Sequence, residues 1–226
     1  MKHNLFILLI GLSCVLLTTG TVEAAIDISP KRIELRGDMT QTITISNNGE
    51  RMEYVTIATE LLLNPGVPFA EEQHTPMGLI QQPTLYASPF KLTLSPQQQK
   101  VITLRPLRKV ERETVYRLNV RPLVQLQGTS FEHASAGIAV NLSFSAIIRQ
   151  RPENEKVLLE VRCEPQGAVL TASGNVHVAL REIQIDDTPS EDINIYPGTP
   201  QRLQGRKVML PGYGGCHAGQ RTEKKS

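Results

Sequence analysis

The sequence predicts an all-β protein of the antiparallel β-sandwich class, arranged as two domains. Short stretches with an apolar residue at every second position follow one another, turn-forming residues separate them, and no stretch keeps a helical period for long. Short strands punctuated at this spacing build sandwiches.

The elements follow in order. Met1-Lys2 is a basic start, residues 5–17 form an apolar run too short to span a bilayer comfortably, and Val22-Glu23-Ala24 ends in a small residue. Residues 1–24 are therefore read as a secretory signal peptide, and the mature chain begins near Ala25. Residues 28–35 (ISPKRIEL) supply the first strand, and residues 41–46 (QTITIS) place Ile43 and Ile45 on one face. Alternation returns in residues 54–59 (YVTIAT), 90–94 (FKLTL), 100–104 (KVITL), 115–123 (VYRLNVRPL) and 136–152 (AGIAVNLSFSAIIRQRP). Asn47-Asn48-Gly49, Asn64-Pro65-Gly66, Ser95-Pro96 and Gly128-Thr129-Ser130 are the turn signals between them. Residues 150–156 (QRPENEK) are polar and aperiodic, as a linker is, so a first domain over 25–151 and a small second one over 152–226 are expected. The second domain offers strands in 157–162, 168–172, 175–185, 193–198 and 206–210, with Ser173-Gly174-Asn175 as a tight turn. The Gly-rich residues 212–226 are expected to be a disordered or loosely tethered tail.

Composition narrows the function. With 24 basic against 22 acidic residues there is no electrostatic footprint for nucleic acid, and aromatics at 4% argue against a lectin, which needs exposed ring platforms. Cys163 and Cys216 survive removal of the leader, and an exported chain meets an oxidising compartment. A disulfide within the C-terminal part is favoured over two free thiols. The histidines, His74, His133, His177 and His217 after the leader, match no metal-ligand spacing, and His177 in VHVAL is read as a half-exposed strand residue. Nucleophile-elbow and phosphate-loop motifs are absent, so no metal, cofactor or catalytic residue is assigned and the chain is not read as an enzyme. A binding role has to account for the chain.

One stretch stands out. In residues 136–152, Ile138, Val140, Leu142 and Phe144 form an apolar comb on one face, and Arg149 and Arg151 follow at the hinge between the domains. A matching pair of cations, Lys31 and Arg32, sits just after the mature start.

In these stretches the chain resembles the periplasmic chaperones of chaperone/usher pili. The resemblance rests on residues 29–35 (SPKRIEL), 43–57 (ITISNNGERMEYVTI), 90–104 (FKLTLSPQQQKVITL), 113–120 (ETVYRLNV) and 143–152 (SFSAIIRQRP). Residues 61–66 (LLLNPG) and the SAIIRQRP ending are similar to the alternate, colonisation-factor-type branch. The resemblance implies two immunoglobulin-like domains in a boomerang. It also implies a chaperone that lends a strand to a pilin lacking one, a mode of strand addition for which chaperone–pilin complexes are a standing example, and that delivers the pilin to an outer-membrane usher. Ile138, Val140, Leu142 and Phe144 would then enter the pilin groove, with no nucleotide required. Two cations in the cleft would bind the pilin's C-terminal carboxylate. Arg32 matches the first. For the second, spacing from Phe144 favours Arg149, whereas aligning on Arg151-Pro152 would place Ile147 there; Arg149 is chosen because a carboxylate needs a cation, and Lys31 is the substitute for Arg32. A free comb would be an apolar edge in water, which a self-capping dimer would cover. The rival readings are a secreted pilus subunit or adhesin of the same fold class, and an exported enzyme with an unfamiliar site.

Overall fold

A computed structural model describes residues 25–123 and 143–217 of the 226-residue chain. The leader, the comb positions Ile138, Val140 and Leu142, and residues 218–226 lie outside the described residues.

The first domain runs β1 (Ile26–Ser29), β2 (Arg32–Arg36), β3 (Gln41–Asn47), β4 (Glu53–Leu62), β5 (His74–Pro76), β6 (Leu85–Ser88), β7 (Lys91–Leu94), β8 (Gln99–Pro106), β9 (Thr114–Pro122) and β10 (Phe144–Arg151). Two sheets result. One has the order β1-β3-β8-β6; the other has the order β2-β10-β9-β4-β5, with β7 also paired to β4. Period-two alternation puts Ile43, Ile45, Ile102 and Leu104 of the first sheet against Leu35, Val55, Leu118, Val120 and Ile148 of the second, all buried between the layers. Each such side chain contributes about 1.5–3 kcal/mol by leaving water.

The expected single first strand is two. Pro30 has no backbone N–H to give to a ladder, and the chain changes sheets there: β1 pairs antiparallel with β3, whereas β2 pairs parallel with β10. The expected linker also starts later than residue 150. Gln150 and Arg151 belong to β10, and the Gln150 side chain is buried because it falls on the same phase as Ala146 and Ile148.

The second domain runs β11 (Leu159–Glu164), β12 (Gly167–Ala172), β13 (Val178–Leu180), β14 (Gln184–Ile185), β15 (Thr188–Pro189), β16 (Ile193–Ile195), β17 (Gln201–Gln204), β18 (Lys207–Leu210) and β19 (Gly214–His217). Its sheets are β11-β12-β17, β13-β16 and β15-β14-β18-β19, around a separate core that includes Leu170, Leu180, Ile183, Ile195, Val208 and Leu210. The expected strand over 175–185 is broken at Glu182, whose positive φ of 54° turns the chain between β13 and β14. The expected loose tail is partly a strand: β19 pairs with β18, and Cys216, buried on it, is disulfide-bonded to Cys163 of β11. This cross-link ties one sheet to another where short strands alone would hold weakly.

Candidate functional site

The site grows from the register of the second sheet of the first domain. Ile147 of β10 is opposite Arg32 of β2 and Arg117 of β9, and Arg117 is opposite Glu60 of β4. One row further on, Arg149 lies between Glu34 and Val115. Because Ala146, Ile148 and Gln150 point into the core, Ile147, Arg149 and Arg151 point out of the sandwich, on the face turned toward the second domain.

Between the domains that face forms a cleft of about 580 Å³ whose lining includes Arg32, Arg117, Ile147, Arg149, Asn194 and Tyr196. Its apolar base is a small cluster in which Leu62, Val115 and Ile147 of the first domain meet Tyr196 of the second. One wall is the loop after β4. Gly66 there has a φ of 94°, and an added Cβ would lie 2.7 Å from the carbonyl oxygen of Asn194, so only glycine lets the two domains approach this closely.

The cations in and beside the cleft differ in what already holds them. Arg117 makes a bidentate pair with Glu72, donates to the Ser145 hydroxyl at 3.0 Å and lies over the Phe69 ring. Arg151 is held twice, by Glu34 at 3.1 Å and by Glu155 at 2.6 Å, and Arg36 closes a ring of four charges by reaching the same two carboxylates. Burial raises the Glu34 pKa, but the Arg151 and Arg36 guanidiniums outweigh it and hold the carboxyl below its ordinary range.

Arg149 is bound more loosely. Its one ion pair among the described residues, to Glu34, is 3.9 Å long; its Nε, like that of Arg151, is buried with no hydrogen-bond partner, and its guanidinium carbon lies 5.7 Å from the centre of the Tyr196 ring. Burial raises the Tyr196 pKa, with the Arg149 charge opposing the rise, so this phenol stays neutral. Arg32 is exposed and makes no ion pair among the described residues, whereas Lys31, next to it, turns to Asp27 at 3.5 Å and is not part of the cleft lining. The structure thus brings Arg32 and Arg149 together and leaves Lys31 outside. Phe144 begins β10 and packs, partly buried, on the first-domain core.

One contributor, Glu113, is not singled out from sequence, and its partner, His177, is placed differently by the structure. Glu113 is buried at the domain joint, where it accepts from the backbone N–H of His177 at 2.6 Å and from its Nδ1 at 2.8 Å. His177 is thus an interdomain residue just before β13, not a half-exposed strand position. Nothing local signals this pair, since the two residues are 64 apart in the chain.

Two immunoglobulin-like sandwiches meeting at a cleft define the fold of the fimbrial chaperones. The chain is 21% identical to the class 5 fimbriae chaperone CfaA, with a TM-score of 0.63 over 82% of this chain and 90% of that one. A chain from a chaperone–tip adhesin complex of CFA/I fimbriae biogenesis gives a TM-score of 0.64 at 21% identity, over 83% and 94%. The CsuC–CsuE chaperone–tip adhesion subunit complex of the archaic Csu pili of Acinetobacter baumannii gives 0.58 at 11% identity, over 83% and 92%. In sequence, the chain is 26% identical over 186 residues to a CS1 fimbrial subunit of Escherichia coli, covering 76% of this chain and 77% of that protein. No family model matches the chain.

Proposed function

We propose that this protein is a periplasmic pilus-assembly chaperone, exported by a cleaved leader over residues 1–24, that binds pilin subunits by donor-strand complementation and hands them to an outer-membrane usher. The observation that carries this reading is the end of β10. The strand delivers Arg149 to an interdomain cleft beside Arg32, while its alternate residues keep the phase of the core. A pilin's C-terminal carboxylate fits between two such cations, and a strand anchored there has its register fixed. Phe144 lies on the core-facing phase of β10. Ile138, Val140 and Leu142 share the parity of Phe144 in the sequence, so in a strand running on from the start of β10 they would enter the groove with it. The free protein covers the same comb in a self-capping dimer.

The test is periplasmic co-expression with the pilins encoded beside this chain, followed by co-purification of wild type, Leu142→Glu and Arg149→Glu. Wild type is expected to yield a one-to-one complex. A carboxylate forced into an apolar groove costs about 3 kcal/mol or more, so Leu142→Glu should weaken binding at least ~100-fold while the chaperone stays folded. Arg149→Glu should do the same by placing like charges together. A folded wild-type protein that captures no pilin would overturn the reading in favour of a pilus subunit or adhesin.

A further inference from the structure

Within its own domain the Arg149 guanidinium has one ion pair among the described residues, to Glu34 at 3.9 Å. Across the cleft the His177 ring stacks on Tyr196, with centroids 5.1 Å apart and planes 30° from parallel, and Arg149 lies over the same tyrosine. The His177 Nδ1 is 2.8 Å from the buried Glu113 carboxylate, which can only accept, so Nδ1 carries the proton. In the neutral ring Nε2 is then an acceptor, and it faces Arg149 Nη1 at 3.5 Å. The loop that carries His177 is itself fixed to the first domain. Asn175 donates to the carbonyls of Glu111 and Asn154 and accepts from the Lys156 amide, and its own carbonyl accepts from the Glu113 amide.

We propose that His177 of the second domain is a positioning residue: oriented by Glu113 and seated on Tyr196, it aims the Arg149 guanidinium into the cleft, so that the second domain sets the geometry of an anchor carried by the first. This rests on the reading of Arg149 as a carboxylate anchor. A long arginine side chain has several rotamers, and fixing one in advance removes an ordering cost from each binding event.

The experiment compares His177→Gln with His177→Asn, alongside His177→Ala and Arg149→Ala, in the full chain. The readout is affinity for the co-encoded pilin, with thermal unfolding of each variant as the check on folding. Glutamine can place an acceptor near the Nε2 position toward Arg149 but loses the donor to Glu113; asparagine keeps a donor near Nδ1 and loses the acceptor. The expected result is about a tenfold loss in His177→Ala and in His177→Asn, a clearly smaller loss in His177→Gln, which keeps the acceptor but not the tie to Glu113, and no additional loss when His177→Ala is combined with Arg149→Ala. Rescue by asparagine rather than glutamine would overturn the proposal and leave His177 as an interdomain tie only, as would equal binding by glutamine and asparagine or an additive double variant. If Arg149→Ala alone binds pilin like wild type, the anchor reading itself fails, and that outcome is distinct from the others.

Discussion

At the residue scale, three consecutive side chains of β10 do three different things because the strand alternates. Arg149 faces the cleft, Gln150 the core, and Arg151 the ring of charges with Glu34, Arg36 and Glu155. A buried glutamine is tolerable only when both ends of its amide are satisfied. Gln150 Oε1 accepts from the Thr84 hydroxyl at 2.9 Å, Nε2 donates to the Arg108 carbonyl at 2.7 Å, and the Tyr116 hydroxyl lies beside them. Gln150→Ala removes both partners and leaves a cavity, so it should lower the unfolding free energy by about 1–3 kcal/mol in a denaturant titration. Pilin binding by the folded fraction should be unchanged, because Gln150 points away from the cleft. In sequence, the choice of Arg149 over the position of Ile147 rests only on spacing and on the need for a cation, and Arg151 is a second arginine close by. The two arginines differ in their ion pairs: Arg151 reaches both Glu34 and Glu155, whereas Arg149 has Glu34 alone, at 3.9 Å.

At the element scale, the strands legible in the sequence are those whose own alternation is strong. β3, β4, β8, β9, β10 and β12 all carry buried residues at period two that can be read without knowing their neighbours. The elements missed are those defined by a partner. β19 is a short Gly-Gly-Cys-His stretch in a Gly-rich segment, and what makes it a strand is its ladder with β18 and its disulfide. The Ser173-Gly174-Asn175 turn was legible as a turn, but not as the interdomain joint it also forms, because its partners at Glu111, Glu113 and Asn154 are far away in sequence. A Cβ on Gly174 would fall 1.9 Å from the Lys156 carbonyl oxygen, backbone against backbone, so either loop or linker must move. Gly174→Ala is therefore expected to destabilise the chain by about 1–3 kcal/mol, measured as a lowered denaturation midpoint. It should also weaken pilin capture, because the same loop carries His177. A variant with wild-type stability would show that the joint is slack there.

At the scale of the whole molecule, the angle between two sandwiches decides whether a cleft exists, and the linker is gripped from two sides to set it. On one side Glu155 enters the ring with Arg36 and Arg151, bridged by Glu34; on the other, Asn175 binds Asn154 and Lys156. The first grip is electrostatic and carries a pH dependence whose sign is fixed. The Glu34 pKa is lowered from 4.5, the Arg151 and Arg36 charges outweighing the effect of burial. A depressed carboxylate adds stability that is fully present above its unfolded value and is lost as pH falls through its folded value. The contribution is therefore complete at neutral pH and decays below about 4.5. The Arg151 pKa is raised, which keeps that partner charged throughout the window. Stability measured against pH should thus fall on acidification more steeply in wild type than in Glu34→Gln, with the two curves converging at the acid end. Because other carboxylates titrate in both proteins, the difference between the curves isolates Glu34. Parallel curves below pH 4.5 would mean that Glu34 adds nothing to the stability of the chain, leaving the pairs of Glu155 with Arg36 and Arg151, Asn175 and the Tyr196 contact to hold the joint.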